Sequence, residues 1–180
     1  VAADAQSGEM LWMHSINEGK RGEAAPRQLS GRGVSYWTDG KVERIIYVTP
    51  GYRLKSLDIE TGIPDSRFGK NGVVDLKLEN DQDIDPLNDD IGLQATPLVC
   101  NNVIVVGAAH TAANRITAPT GNVRGYDART GRRLWIFHTI PRKGEYGYDS
   151  WVVDGQGQQT GHAGVWGDMC ADAELNIMYH

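Results

Sequence analysis

The hydrophobic residues of this chain fall in short runs, and helical periodicity is weak along its whole length. The runs are rich in β-branched and aromatic residues and are bounded by Gly, Asp and Asn, which is typical of β-strands joined by turns. In contrast, the polar segment 79–92 (ENDQDIDPLNDDIG) predicts a loop that leaves the sheets. The clearest further strands are predicted at residues 44–49, 102–109, 133–139 and 175–180.

A repeated phrase, Asp-x-x-(Thr/Ser)-Gly, follows three short strands. It begins at Asp4 (ADAQSGEMLW), at Asp58 in altered form (LDIETGIPDSRFG) and at Asp127 (YDARTGRRLW). The Asp carboxylate can accept hydrogen bonds from the N–H groups of a turn. The Gly can take the positive φ that lets the next strand return antiparallel. Each copy therefore predicts a β-hairpin.

In two copies a tryptophan follows the turn at the same interval. Trp12 and Trp135 occupy matching positions on the returning strand. A large flat side chain there can cover the interface with a neighbouring sheet. We therefore expect both rings to be buried between adjacent sheets, at equivalent places.

The spacing of the repeat indicates a β-propeller. The repeated Asp residues are separated by 54 and 69 positions, somewhat above the roughly 40–50 residues of propeller repeats, and the larger gap leaves room for an inserted loop. At about four strands per blade the chain holds roughly three blades, whereas closed propellers need four or more. The sequence therefore predicts one all-β domain over residues 1–180 that is part of a larger propeller. The repeat alone equally fits a non-enzymatic scaffold that binds protein partners.

Composition and charge exclude several classes of function. With 180 residues and a formal charge of −5, the chain lacks the basic surface that nucleic-acid binding requires. No run approaches the roughly 18 apolar residues of a membrane span, and we expect no signal peptide. Cys100 and Cys170 lack C-x-x-C spacing, so we expect buried free thiols, with a disulfide left open. The five histidines show no zinc-type spacing.

Three longer phrases go beyond the repeat: GRGVSYW, VRGYDARTGRRLWIFHTIPRKGE and GHAGVWGDMCADAELNIMY. With the repeat, they resemble the pyrroloquinoline quinone (PQQ) dependent dehydrogenases, and most closely the glucose and polyol dehydrogenase branch. The resemblance covers essentially the whole chain. It implies an eight-bladed propeller with the quinone on its axis, of which roughly three four-stranded blades would lie in these residues.

The resemblance implies two main cofactor contacts. Arg32 in GRGVSYW matches the family arginine that pairs with the cofactor. Its planar guanidinium suits a carboxylate, of which PQQ has three. Trp166 in AGVWGDM matches the tryptophan that forms the floor beneath the quinone. A non-enzymatic scaffold has no reason to keep these two residues together.

Weaker contacts are implied around the phrase QATPLVCNNVIVVGAAH. Thr96 is the nearest hydroxyl to the quinone, and Gln94 and Ala95 are the alternative matches to the family's Ser or Thr. Gly107 and Ala108, at the end of the following strand, offer backbone groups.

The metal site departs from the family pattern. Alcohol-oxidising relatives carry two adjacent cysteines and a calcium-binding Glu, where this chain reads RQLSGRG and TAPTGNVRG. Asn114 alone matches the Asp-Asn pair linked to the metal in the glucose branch, because Ala113 precedes it. A neutral amide by itself binds Ca²⁺ poorly. The resemblance therefore implies PQQ with Ca²⁺ or Mg²⁺, with most metal ligands outside this chain. A relative that has lost the metal is a third possibility.

The implied function is a periplasmic PQQ-dependent dehydrogenase. It would oxidise a sugar or polyol hydroxyl by hydride transfer to the quinone and pass electrons to a membrane quinone or a cytochrome. The family's general base, an Asp, and its second arginine lie in later blades, so no catalytic residue is assigned in this chain. The alternative is the non-enzymatic propeller scaffold.

Overall fold

The computed structural model describes residues 1–28, 33–93, 95–111, 118–153 and 163–180. These residues form twelve strands, one four-residue helix and one 3-10 turn at Tyr148–Ser150. In chain order the elements are β1 (Ala2–Ala3), β2 (Met10–Trp12), α1 (Lys20–Glu23), β3 (Ser35–Thr38), β4 (Glu43–Val48), β5 (Arg53–Asp58), β6 (Val73–Asp75), β7 (Leu98–Cys100), β8 (Val103–Val106), β9 (Val123–Asp127), β10 (Arg133–Phe137), β11 (Cys170–Asp172) and β12 (Ile177–Tyr179).

The strands form two complete antiparallel sheets and two hairpins. The sheet β3-β4-β5-β6 is called the first blade, and the sheet β7-β8-β9-β10 the second blade. The pair β1-β2 is the N-terminal hairpin, and the pair β11-β12 the C-terminal hairpin. In each blade sequential strands are neighbours, as in a β-meander. The strands predicted from hydrophobic runs are confirmed, and the polar segment 79–92 contains no strand.

The innermost strands of successive sheets lie side by side. Strand β7 contacts both β3 and β11. The Ser35 hydroxyl at the start of β3 donates to the carbonyl of Pro97 just before β7. The Asn101 amide just after β7 donates to the Ala173 carbonyl just after β11. The three strands therefore run in the same direction beside a common axis, and the predicted all-β propeller architecture is confirmed.

The core lies between the two blades. In β4 every second residue is buried, including Ile46 and Val48, because one face of the first blade packs against the second. The second blade contributes β9, in which four consecutive residues are buried. One buried cluster joins both blades: Trp37, Ile46, Val48, Tyr52, Leu54, Phe68, Val74, Leu76, Ile84, Ile91, Leu93, Ala95, Ile104, Val106, Ala108, Tyr126 and Ala128.

The three predicted hairpin turns have the expected geometry. The Asp Oδ1 atom accepts from the backbone N–H three residues on, at 2.6 Å for Asp4, 3.0 Å for Asp58 and 2.7 Å for Asp127. The turn glycines Gly8, Gly62 and Gly131 have φ of 74°, 68° and 73°. The repeat is therefore a structural device, placed at the same end of each sheet.

The first tryptophan lies between adjacent sheets, as predicted, and it contacts the next turn of the repeat. The Trp12 indole N–H donates to the carbonyl of Ile59 at 2.9 Å, and the ring lies against Gly62. Trp12 is half-buried between the N-terminal hairpin and the first blade. In this way one turn of the repeat supports the tryptophan of the preceding one.

The prediction for the second tryptophan is wrong. Trp135 is 37% exposed, and its ring lies over Gly125 of its own sheet. Trp12 needs the turn between the third and fourth strands of the next sheet. In the described residues, the sheet after the second blade contains only the C-terminal hairpin, so no equivalent turn faces Trp135.

The altered copy of the repeat at Asp58 contacts the next turn without a tryptophan. No tryptophan follows Asp58 at the usual interval, and Phe68, which is fully buried, lies near Gly131 of the next turn instead. The N–H of Gly69 donates to the Thr130 carbonyl at 2.8 Å. A phenylalanine ring and a backbone N–H together replace the indole.

A buried arginine strengthens this end of the interface between the blades. Arg44 in β4 donates to the carbonyls of Ala128 and Arg129, both at 2.8 Å, and forms an ion pair with Asp65. Its guanidinium carbon also lies 5.1 Å from the centre of the Trp37 ring. Because these contacts surround the repeat turns, this region is called the turn end.

Both cysteines are free. Cys100 is buried as expected, whereas Cys170 is exposed at the start of β11, where the inner strand faces the axis. Within the described residues, no helix is both long enough and apolar enough to cross a bilayer.

Candidate cofactor site

The predicted site residues precede the innermost strands of successive sheets. Arg32 comes three residues before β3, Thr96 two residues before β7, and Trp166 four residues before β11. Because these strands run in the same direction around one axis, the segments before them meet at one end of the sheets. This end, opposite the turn end, is called the site end.

Three candidate positions lie outside the described residues: Arg32, Asn114 and the alternative position Gln94. The neighbour of Arg32 is described, however. A Cβ atom on Gly33 would stand 1.9 Å from the Thr96 hydroxyl oxygen. Gly33 therefore lies directly against the Thr96 side chain.

Thr96 lies on a groove at the axis. The groove has a volume of about 340 Å³ and is lined by residues of all three inner segments: Ser35, Tyr36, Thr96, Pro97, Leu98, Val99, Asp168 and Met169. Thr96 itself is half-buried. Thr96 therefore lies at a point where the first blade, the second blade and the C-terminal hairpin meet.

Gly107 and Ala108 hold the segment that carries Trp166. The N–H of Ala108 donates to the Val165 carbonyl at 2.9 Å. A Cβ atom on Gly107 would lie 2.1 Å from that same carbonyl oxygen, so only glycine permits this approach. A Cβ atom on Gly164 would likewise lie 2.6 Å from the Ala108 carbonyl oxygen. The end of β8 and residues 163–167 are thus in direct contact.

Trp166 presents a free aromatic surface beside this contact. The residue is 66% exposed, and it directly follows Val165, whose carbonyl contacts the buried residues Gly107 and Ala108. An exposed indole next to such a backbone contact can support a flat ring system. The structure therefore brings Trp166, Gly107 and Ala108 together at the site end, with Thr96 at the start of the adjoining strand.

Two residues at the site end were missed from the sequence. The hydroxyl of Tyr52 donates to the Gly107 carbonyl at 2.6 Å, and Arg124 donates to the Tyr52 oxygen at 2.5 Å. Burial raises the pKa of the Tyr52 phenol, which therefore stays protonated and can donate. The signal that could have revealed the pair is Arg124 itself, a charged residue within the buried strand VRGYD.

The sequence matches the β-propeller domain of the PQQ-dependent glucose, ethanol and alcohol dehydrogenases over residues 1–180. The chain belongs to this family. It is 30% identical to the glycerol dehydrogenase large subunit of Gluconobacter oxydans, over 98% of this chain and 23% of that protein. It is 28% identical to the quinohemoprotein alcohol dehydrogenase ADH-IIG of Pseudomonas putida, over 99% of this chain and 23% of that protein.

Solved structures agree on the fold. The chain matches the structure of quinohemoprotein alcohol dehydrogenase ADHIIG from Pseudomonas putida HK5 with a TM-score of 0.71 at 23% identity. The match covers 98% of this chain and 24% of the other protein. The quinohemoprotein alcohol dehydrogenase of Comamonas testosteroni gives 0.68 at 21% identity, over 98% and 25%. The chain thus spans about a quarter of these relatives.

The site residues that the structure describes have the chemistry to hold PQQ, the cofactor of this family. PQQ is flat and carries several oxygen acceptors, and the site end offers an exposed indole, a hydroxyl and tightly packed glycine backbone. No group of three or more His, Cys, Asp or Glu within the described ranges could hold a metal ion. Asp168 on the axial groove was not predicted either, and it is exposed.

Proposed function

We propose that this chain is the cofactor-holding part of a PQQ-dependent dehydrogenase that oxidises a sugar or polyol hydroxyl. The observation that carries the proposal is the exposed Trp166 ring at the site end, in a domain of this family, directly after Val165, which contacts Gly107 and Ala108. Glycerol and glucose dehydrogenases among the relatives support a polyol or sugar as the substrate.

Each residue has a distinct part in this proposal. Trp166 supplies the apolar floor for the cofactor rings, and Arg32 pairs with one of the cofactor carboxylates. Thr96 donates its hydroxyl to a cofactor oxygen, and the backbone of Gly107 and Ala108 sets the edge of the site. When bound, the quinone supplies the chemistry of accepting a hydride from the carbinol carbon. A carboxylate base outside this chain takes the hydroxyl proton.

The remaining parts of the proposal concern the metal and the surroundings. Ca²⁺ or Mg²⁺ is proposed as the second cofactor, with Asn114 as its contact in this chain and carboxylate ligands from elsewhere. The proposed location is the periplasm, and the proposed electron acceptor is a membrane quinone or a cytochrome. Residues beyond this chain complete the propeller.

The test is a titration of the protein, expressed from its complete gene, with PQQ in the presence of Ca²⁺ or Mg²⁺. Sugar- or polyol-dependent reduction of an artificial electron acceptor is measured in parallel. We expect saturable PQQ binding and activity only in the loaded protein. Arg32→Ala should weaken binding by about 1.5–3 kcal/mol, because a charge-assisted contact is lost, and Trp166→Ala should remove the floor.

Trp135→Ala is the matched control. Trp135 is also a partly exposed tryptophan, but it lies over Gly125 in the outer half of the second blade. We expect this variant to bind PQQ like the parent in whatever fraction is folded. If the parent binds no PQQ, or if both site variants bind it unchanged, the non-enzymatic scaffold takes the place of this proposal.

A further inference from the structure

The interface between the blades contains a buried cation with no carboxylate partner. Arg124 in β9 is fully buried, and its guanidinium donates to the Leu76 carbonyl at 2.6 Å and to the Tyr52 hydroxyl oxygen. It also lies over the Tyr52 ring, 5.2 Å from the centre. No Asp or Glu within the described ranges forms an ion pair with it. A charge buried in this way costs folding free energy that a neutral residue would not.

Tyr52 has an unusual backbone as well. It is fully buried with φ of 61°, in the left-handed region that residues other than glycine rarely adopt. The surrounding loop enforces this conformation: the Glu18 carboxylate accepts from the Thr49 hydroxyl at 2.9 Å and from the Gly51 N–H at 2.6 Å. Strained residues that their surroundings hold in place are concentrated at functional sites.

The contacts of this pair lead directly to the site end. Arg124 donates to Tyr52, and Tyr52 donates to the Gly107 carbonyl. The next residue, Ala108, binds Val165, which adjoins Trp166. The Tyr52 hydroxyl accepts from the Arg124 cation, and this polarises its O–H group. The hydrogen bond from Tyr52 to the Gly107 carbonyl is therefore strengthened. No turn of the repeat requires this chain of contacts.

We propose that Tyr52 and Arg124 are positioning residues that fix the Gly107 carbonyl and thereby orient residues 163–167 for the cofactor. This inference rests on the proposed function, in which Trp166 is the cofactor floor. In the free protein the pair keeps Gly107, Ala108 and the Trp166 segment in the binding arrangement. Binding then avoids the free-energy cost of ordering them.

The test compares two single-atom deletions. Tyr52→Phe removes the hydroxyl that donates to Gly107 and keeps the ring over Arg124. Tyr126→Phe is the matched control, because Tyr126 is also fully buried, lies on β9, and has a hydroxyl with no hydrogen-bond partner in the described structure. Three measurements are made on each: the thermal midpoint, hydrogen exchange of residues 163–169 without PQQ, and the dissociation constant for PQQ.

For Tyr52→Phe we expect faster exchange in residues 163–169 than in the rest of the chain, and a PQQ dissociation constant raised about 3- to 30-fold, as for loss of a buried hydrogen bond. Tyr126→Phe should leave both unchanged. Arg124→Met should act in the same direction as Tyr52→Phe if it folds.

The outcomes separate this inference from the proposed function. If the parent binds PQQ and Tyr52→Phe matches Tyr126→Phe in both local exchange and affinity, the positioning role is wrong and the proposed function stands. If exchange in Tyr52→Phe rises equally over the whole chain, the pair is merely structural and the inference is also wrong. If the parent itself binds no PQQ, the proposed function fails, and local exchange alone still decides whether Tyr52 orders residues 163–167.

Discussion

The two ends of the interface between the blades are both held by a buried arginine, but the partners of the two arginines differ. Each end has one buried arginine that crosses from one blade to the other. At the turn end, Arg44 meets the carboxylate of Asp65 and two carbonyls of the repeat turn. At the site end, Arg124 meets the Leu76 carbonyl and the hydroxyl and ring of Tyr52, and no carboxylate among the described residues.

The difference separates stability from function. At the turn end, a buried arginine with a carboxylate and two carbonyl partners holds the two sheets together. The site end instead contains Arg124, which has no ion-pair partner among the described residues, together with a left-handed Tyr52 and an exposed Trp166. Substitutions at the turn end should therefore lower stability and leave cofactor affinity unchanged. Substitutions at the site end should act mainly by lowering cofactor affinity.

The largest effect is expected from Arg44→Met. This change leaves the Ala128 and Arg129 carbonyls without their donor and removes the buried partner of Asp65. We expect a loss of about 3 kcal/mol in the free energy of unfolding, as for other broken buried ion pairs. Urea denaturation measures it, and PQQ titration of the folded protein should give the parent affinity.

Arg67→Ala is the control for Arg44→Met. Arg67 binds the same Asp65 carboxylate from the surface, with its side chain 66% exposed. Its loss should hardly move the urea midpoint, since exposed ion pairs contribute little. An Arg44→Met variant with reduced PQQ affinity would contradict the separation of the two ends.

The next effect is the difference in stability between Gly62→Ala and Gly8→Ala. Both glycines close the same turn with positive φ, so each alanine incurs a backbone cost of about 1–2 kcal/mol. At Gly62 the new Cβ would also lie 2.4 Å from the Trp12 ring, whereas at Gly8 nothing lies within 4 Å. We expect Gly62→Ala to destabilise by a further 1–3 kcal/mol or so. Equal losses in urea denaturation would show that Trp12 docking adds nothing to the turn.

The same contrast explains which features could be predicted from the sequence. The turns at Asp4, Asp58 and Asp127 were predictable because their hydrogen bonds join residues two or three positions apart. The docking of Trp12 followed from the repeat, since the next turn has the same chemistry. The exposure of Trp135 could not be predicted in this way, because it depends on which strands face the ring and not on the position of Trp135 in the repeat.

The site end was only partly predictable, for a physical reason. A resemblance in the approach segments indicated Thr96 and Trp166, and the structure brings their segments to one end. The bond from Tyr52 to Gly107 spans 55 positions and exists only when the two blades pack. No local pattern encodes the left-handed φ of Tyr52 or the burial of Arg124 without an ion-pair partner in the described residues. The roles proposed for Arg32 and Asn114 stay predictions.

Acidification should weaken the turn end by a modest amount. The side-chain hydrogen bond from Arg67, with help from Arg44, holds the pKa of Asp65 below its ordinary value of 3.8. A lowered pKa in the folded state contributes stability that is fully present above about pH 4 and is lost as the pH falls through the folded pKa. We expect a contribution of at most about 1 kcal/mol after solvent screening.

Urea denaturation at pH 6 and pH 3, for the parent and for Asp65→Asn, measures this contribution. The difference between the two proteins should be present at pH 6 and should shrink at pH 3, where the parent carboxylate begins to take up its proton. A difference that stays constant between these pH values would mean that the charge of Asp65 does not stabilise the turn end.

The smallest effect is expected from Tyr126→Phe, which tests whether every buried polar group between the blades matters. Tyr126 packs in the same core as Tyr52, but its hydroxyl has no partner within the described residues, and burial raises the pKa of this phenol. Removing an unsatisfied buried hydroxyl while keeping the ring relieves a desolvation cost and leaves the packing intact. We expect the free energy of unfolding to stay the same or to rise by up to about 1 kcal/mol. A clear decrease in the urea midpoint would mean that the Tyr126 hydroxyl forms a hydrogen bond in solution. Tyr126→Phe would then no longer be a valid control for Tyr52→Phe.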